Sequence, residues 1–325
     1  MKLSMHLEEW EIKRPFRITG KTWHKTDALV VELFDGKCVG RGEAQGVYYK
    51  GETTTSIQAQ VNEVADKICK GITRDELQTI MPAGGARNAI DCALWDLEAK
   101  QSGKSIWQLT GVDPKPIATV YTIGIEASTE AMVAHATMAA EFPILKIKLD
   151  ADSPVERLAA IRAARPDAKI VVDANQGWSF DVLQGVIRDC ATLNIEMIEQ
   201  PLARGGDQAL EGFKSPITLA ADESCLHTGE LDVAADRYDM INIKLDKTGG
   251  LTEGLRLARA AKYKGCKLMV GNMGGTSLAM APAFVLANLC DFADIDGPLA
   301  LKYDRRHGLN YKSGVVDIFK SQLWG

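Results

Sequence analysis

From residue 117 onward the chain alternates between short apolar, β-rich runs and longer stretches with helical periodicity. No other feature narrows its folds as far. The runs fall at 117–123, 144–149, 169–173, 195–199, 217–222, 239–245, 267–271 and 292–296. Helix-like stretches separate them, for example at 128–142, 154–165 and 250–264. Strands alternating with helices build parallel sheets from βα units. Eight such units suggest closure into a barrel, with the open doubly wound sheet as the competing arrangement. A dinucleotide-binding version of the open sheet is disfavoured, because no glycine-rich phosphate loop follows the first strand.

The first 113 residues read as α+β. Residues 2–14 alternate weakly, and 27–34 and 37–44 are β-rich runs joined by Asp35-Gly36, a strong hairpin signal. Ile57, Val61, Val64 and Ile68 recur at helical spacing and predict a helix over 53–70; Ala86, Ile90, Ala93, Leu94 and Leu97 predict another over 84–101. Asp113-Pro114-Lys115-Pro116 marks a domain junction. The formal net charge of −5 is spread over mixed signs, which offers no single-signed face to nucleic acid or a membrane. No apolar run approaches the roughly 20 residues of a membrane span, and the first residues lack a signal-peptide core. The 7 cysteines are odd in number and lack metal spacing, so they read as free thiols in a reducing compartment. A soluble, cytoplasmic protein is expected.

Ionisable residues recur at the C-terminal ends of the β-like runs: Lys148, Asp173, Glu199, Asp222, Lys244, and Asp294 with Asp296. From Lys148 to Lys244 the steps are 25, 26, 23 and 22 residues, each about one βα unit. In a barrel this phase gathers the side chains on one rim, where such folds place their chemistry. A single strand-end charge is ordinarily a solvated one; five in phase on apolar strands are not. Alternation puts Lys146 and Lys148 on one face and the neighbouring aliphatics on the other. Asp173, Glu199 and Asp222 converge from adjacent strands, and three carboxylates together call for a cation. An all-oxygen set without His or Cys suits Mg²⁺ better than Zn²⁺. Lys148 and Lys244 flank that set from opposite sides. One can remove a proton next to a substrate carboxylate and the other return one to the opposite face, which is racemase or epimerase chemistry. The positive charge of Lys146 is expected to lower the pKa of Lys148.

The ordered set Lys146-x-Lys148, Asp173-Ala-Asn175, Glu199-Gln-Pro201, Ala221-Asp222-Glu223-Ser224, Asn242-Ile-Lys244 and Gly249-Gly250 resembles the enolase superfamily, in its muconate-lactonizing-enzyme subgroup. The resemblance spans essentially the whole chain. It implies an α/β fold, a modified TIM barrel of (β/α)₇β type over 114–297, with an N-terminal α+β capping domain over 1–113 and a C-terminal segment, 298–325, packing back on the cap. It also implies one Mg²⁺ per subunit held by Asp173, Glu199 and Asp222, with Lys148 and Lys244 as the acid/base pair. Asp294-Ile-Asp296 resembles the Asp-x-Asp signature of dipeptide epimerases, where it binds the substrate's free α-ammonium. Two carboxylates two residues apart on a strand would project together and make such a cation site.

A basic residue in the cap loop at about 17–27 is expected to meet an acidic second side chain, and Lys21 is the match; Trp23, His24 and Lys25 lie beside it. Lysine offers a point charge and no planar fork. Tyr48-Tyr49-Lys50-Gly51 reads as a second, mobile capping loop. Met273 and Gly274, in the Gly271–Ser277 segment, are expected near the substrate, with backbone N–H groups at a helix start free for a carboxylate. Asn175, Gln200 and Glu223 are expected to orient ligands and lysines.

The expected activity is Mg²⁺-dependent epimerisation of a dipeptide through an enolate, L-Ala-D/L-Glu first, by two-base proton transfer. The alternatives are N-acylamino acid racemisation, o-succinylbenzoate synthesis or muconate cycloisomerisation on the same scaffold. A Schiff-base lysine would work without the carboxylates. A homo-oligomer is compatible with the sequence.

Overall fold

A computed structural model describes all residues, 1–325. Its N-terminal part is an antiparallel sheet of β1 (Lys2–Ile18), β2 (Lys21–Phe34) and β3 (Val39–Ala44), in that order. The helix Gly85–Ser102 lies directly on β3. Gly40 and Gly42 permit this, because a Cβ at either would overlap the helix backbone near Ala89 and Ala93. The helix expected over 53–70 divides at Val64 into Thr54–Glu63 and Ala65–Cys69. Thr53 opens the first piece by capping Ser56 N–H. The stretch at 17–27 is not a loop. It is the end of the β1–β2 hairpin, turning through Thr19 and Gly20, with Ile18 paired to Lys21 and Phe16 to Trp23.

The run at 117–123 divides as well. β4 (Ile117–Ala118) leaves the main sheet, while β5 (Tyr121–Ile123) begins it. The switch follows from successive N–H groups pointing opposite ways: Thr119 N–H donates to Gly314 O and Val120 N–H to Ala293 O. The main sheet continues through β6 (Ile144–Lys148), β7 (Lys169–Asp173), β8 (Ile195–Glu199), β9 (Thr218–Ala221), β10 (Met240–Lys244), β11 (Lys267–Gly271) and β12 (Phe292–Ala293), each parallel to the next. The Val120–Ala293 bond joins the first strand to the last, so the sheet curls into a barrel. Two short strands, β13 (Tyr311–Lys312) and β14 (Val315–Val316), pair with β4.

Two layers fill the barrel. Val120, Val171, Met197, Ala220, Met240 and Met269 form a closed apolar plug. One step along each strand toward its C-terminal end the inward residues turn polar: Lys146, Asp173, Glu199, Asn242 and Asp294, all buried. The outward faces join the surrounding helices in the large apolar cluster that includes Ile147, Ile170, Ile198, Ile241 and Phe284. β12 ends at Ala293, so Asp294 and Asp296 lie beyond it and do not alternate along a strand as expected. Gly297-Pro298 opens a short helix there, with Asp296 at its N-cap. All seven cysteines are free, and no helix is long and apolar enough to cross a membrane.

Candidate active site

Strand register assembles the polar mouth. Lys148 stands beside Asp173 and Asp173 beside Glu199, while Asp222 directly follows β9. The three acids thus form a row on adjacent strands, fully buried. An ammonium meets each end of the row: Lys148 Nζ donates to Asp173 Oδ2 at 2.5 Å, and Lys244 Nζ to Asp222 Oδ2 at 2.6 Å. Lys244 needs room to reach there. Gly271 on the next strand supplies it, since a Cβ at 271 would come within 2.8 Å of the Lys244 side chain and 2.7 Å of Asn242 Oδ1.

Lys146 sits deeper and touches three acids: Asp173 Oδ2 at 3.1 Å, Glu199 Oε2 at 2.7 Å and Asp294 Oδ2 at 2.7 Å. Its place is therefore under the row, neutralising it, and not at an open substrate surface. Burial opposes its charge, yet Asp294, Glu199 and Asp173 outweigh burial and hold it firmly protonated. Lys244 is likewise raised, with Asp222 and Glu199 overcoming burial. Burial alone would raise Asp173 and Asp222, but Lys148 and Lys146 pull the first well below the carboxylate range, and Lys244 and Lys247 the second. Glu199 goes the other way, to about 7, through burial and the adjacent charge of Asp173.

The resemblance implies a divalent cation here, and the donor set suits one. It is carboxylate oxygen throughout. Asn175 Oδ1 is buried without a hydrogen-bond partner, and Glu199 Oε2 has none but the Lys146 ammonium at 2.7 Å. The three carboxylates do not form a ready-made cage, because each is drawn to an ammonium.

The supporting residues have distinct jobs. Gln200 ties down the end of β9: its Oε1 accepts from Asp222 N–H and Ser224 N–H, and its Nε2 donates to Leu202 O, Ser224 Oγ and Tyr238 Oη. It holds this post at φ 35°. Asn175 N–H donates to Asp173 Oδ1. Glu223 is 1% exposed, with neither carboxylate oxygen partnered, and burial followed by the charge of Asp222 pushes it up to about 8.

Asp294 is bound into the floor by Lys146 and by Asn272 Nδ2 at 2.9 Å. Asp296 is only partly covered, accepts from Thr122 N–H at 2.6 Å and rises to about 7 through burial and then the charge of Asp294. The helix start after Met273 and Gly274 is less open than expected. Glu43 takes Thr276 N–H at 2.8 Å, Asp304 takes Ser277 N–H at 3.0 Å, and Asn272 Oδ1 takes Gly274 N–H at 2.7 Å. Side chains of the chain itself thus take three of the N–H groups expected to be free for a substrate carboxylate.

The cap closes over this mouth. Thr19 Oγ1 donates to Ala174 O at 3.1 Å and Leu149 O at 3.4 Å, and Ile125 N–H donates to Arg17 O, so the β1–β2 tip is fastened to three strand ends. Lys21, Trp23 and Tyr48 gather beside it, whereas His24 and Lys25 are exposed and Lys25 pairs with Glu9 and Asp27. Tyr48 lies on a short turn held by Glu52, which accepts from Val47 N–H.

Lys247, three residues past Lys244, joins the site although no strand pattern marks it. It is 1% exposed and donates to Asp222 Oδ1, Asp222 O, Asn242 O and Cys225 O. Asn242, whose Nδ2 donates to Glu199 Oε1 at 2.7 Å, was visible as the inward partner of Lys244 two residues on. The Glu43–Thr276–Arg305 cluster had no local signal, because its members are more than 200 residues apart at the extremes.

Fold and site together define a barrel with a capped, lysine- and carboxylate-lined mouth. The chain belongs to the mandelate racemase/muconate lactonizing enzyme family of the enolase superfamily: residues 1–111 match its N-terminal domain and residues 130–318 the enolase C-terminal domain-like fold. It is 41% identical over 313 residues to L-Ala-D/L-Glu epimerase of Escherichia coli (strain K12), covering 96% of this chain and 98% of that one. Against N-acetyl-D-glutamate racemase of a Pseudoalteromonas species it is 39% identical, covering 87% and 91%. Among solved structures, an enolase family member from Agrobacterium tumefaciens with homology to dipeptide epimerases, holding sodium and L-Ala-L-Glu, superposes with a TM-score of 0.96 at 43% identity over 99% of both chains. A dipeptide epimerase from Enterococcus faecalis, complexed with Mg and L-Leu-L-Tyr, gives 0.91 at 27% identity over 98% and 96%.

Proposed function

We propose that this protein is a dipeptide epimerase, acting on L-Ala-D/L-Glu as its first substrate by two-base proton transfer at the α-carbon of the second residue. The observation that carries the reading is the row of three buried acids with an ammonium at each end, Lys148 on Asp173 and Lys244 on Asp222. Amines at opposite ends of one anionic row can reach opposite faces of a carboxylate-bearing carbon lying across it. As the neutral amine, Lys148 takes the proton from one epimer and Lys244 from the other, and the partner lysine, as the ammonium, returns a proton to the far face. Asp173, Glu199 and Asp222 would hold one Mg²⁺ per subunit. When bound, that ion supplies charge to stabilise the developing enolate and competes with the lysines for the same carboxylates. Lys146 and Lys247 keep the row compact from beneath. Asp296, with Asp294 behind it, would receive the dipeptide's α-ammonium.

The same reading divides the chain into a cap at 1–113, a barrel at 114–297 and a returning segment at 298–325. The bonds from Arg305 to Glu8 and from Gly325 N–H to Asp96 support the last assignment.

The test is incubation of L-Ala-L-Glu in D₂O with Mg²⁺, reading deuterium at the α-carbon and the L,D product. Lys148→Ala and Lys244→Ala should each abolish epimerisation, with exchange surviving for one stereoisomer only. Wild-type epimerisation by either variant excludes the two-base scheme.

A further inference from the structure

Lys21 is an unusual cation. Its ammonium has no carboxylate partner, in contrast to Lys25 on the same strand. It lies 4.5 Å from the centre of the Tyr48 ring and 4.9 Å from that of Trp23. The two rings meet edge to face at 5.1 Å. Phe16 extends the group behind Trp23 at 6.1 Å, and Tyr49 extends it behind Tyr48 at 5.1 Å. Two rings from separate cap segments thus face one unpaired charge, each backed by a further ring.

The place is the rim of the mouth. The hairpin tip that carries Lys21 is fastened to the ends of the barrel strands through Thr19 and Arg17. On the other side, the Tyr48 hydroxyl is close enough to feel the charges of Glu223, Lys244, Asp222 and Asp173. A lysine stem ordinarily samples many rotamers, and its ammonium has no directional fork. Ring faces supply what it lacks, because a cation over an aromatic quadrupole has a preferred position while its charge stays available to an anion.

We propose that Trp23 and Tyr48 are positioning residues that clasp Lys21 between their rings and thereby set a preference for an acidic second side chain over its neutral isostere. The inference rests on the epimerase reading and extends it from the reacting carbon to the side chain. The clasp spans β2 and the 48–51 turn, so selection requires both cap segments to be seated.

The experiment compares L-Ala-L-Glu with L-Ala-L-Gln, which differ in charge and hardly in shape, by α-deuteration in D₂O with Mg²⁺. Trp23→Leu and Tyr48→Leu should each lower the Glu/Gln ratio of kcat/KM by roughly fivefold, about 1 kcal/mol, mainly through KM for the acidic dipeptide. Tyr48→Phe, which keeps the ring face, should retain the wild-type ratio and report on folding. In a Lys21→Met background the ratio should already be lost, and Trp23→Leu should not change it further. Unchanged ratios in both leucine variants overturn the clasp, as does a wild type that turns over the two dipeptides equally while still epimerising them. Exchange of neither dipeptide by the wild type overturns the epimerase reading, and the clasp with it.

Discussion

Lys146 carries a positive charge at 1% exposure, and its stability depends on the three carboxylates around it as theirs depends on it. Removing one partner of a buried ion cluster leaves the others uncompensated, at a cost of about 3–5 kcal/mol. Lys146→Met should therefore lower the unfolding free energy, read from urea titration, by that much in the absence of divalent ions, and added Mg²⁺ should recover part of the loss. An unchanged midpoint would mean the cluster is solvated and the row is not held from below. Asp296 gives a pH-dependent counterpart. Burial and the neighbouring Asp294 raise it from the ordinary aspartate range to about 7. The folded state then keeps a proton that the unfolded chain has lost, so this contribution is complete below about pH 4 and is lost as pH rises through 7. Asp296→Asn should flatten the fall in Tm between pH 5 and pH 8, and an identical slope in the variant would refute the assignment. The slope should not vanish, since Glu199 titrates in the same range.

At the level of elements, the pair Gly249-Gly250 shows how a motif can be legible without its cause. Gly250, at φ 116°, faces Asp91 on the cap helix Gly85–Ser102, and Gly249, at φ 72°, faces Arg87 one turn earlier. Arg87 donates to Thr248 O at 2.6 Å and Gly249 O at 3.1 Å, and Thr252 N–H donates to Asp91 Oδ2 at 2.9 Å. The glycines let the cap helix dock on the turn after β10, the strand that ends in Lys244. A Cβ at 250 would overlap the Asp91 side chain in a backbone region already unfavourable by about 1–2 kcal/mol. Gly250→Ala should therefore cost at least about 2 kcal/mol by thermal unfolding, and wild-type Tm would contradict this account. The strand-end residues Lys148, Asp173, Glu199, Asp222 and Lys244 are readable from sequence because each closes a run whose alternation fixes its face and whose spacing fixes its height. Lys247 escapes that logic, since it lies past the strand in a four-residue helix whose facing depends on docking. The split at 117–123 escapes it too, because β4 and β5 share one apolar pattern and differ only in which neighbour accepts their N–H groups.

Across the whole molecule, the chain's two ends hold cap and barrel together. Arg305 donates to Glu8 on β1 and to Glu43 on β3, and Glu43 in turn takes Thr276 N–H at the helix start beside the mouth. Further on, Arg41 donates to Gln322 O and Leu323 O, Trp324 Nε1 donates to Cys92 O at 3.0 Å, and Gly325 N–H donates to Asp96 Oδ1 at 2.7 Å. Trp324 is fully buried, and its ring packs near Phe319, which in turn meets Trp107 and the barrel helix residue Phe284. It therefore belongs to the barrel core while bonding to the cap helix. Trp324→Ala should remove about 3–5 kcal/mol by the scale of large-to-small core changes. The loss should be uneven, because the cap keeps an apolar cluster of its own and joins the barrel's large cluster only through residues such as Val30, Cys92 and Trp95. Hydrogen exchange at β2 and β3 should accelerate before exchange at β7 to β10, and KM for the dipeptide should rise while the variant remains folded. Uniform acceleration across both parts would show instead that cap and barrel unfold as one unit, and that the tail supports the core without seating the cap.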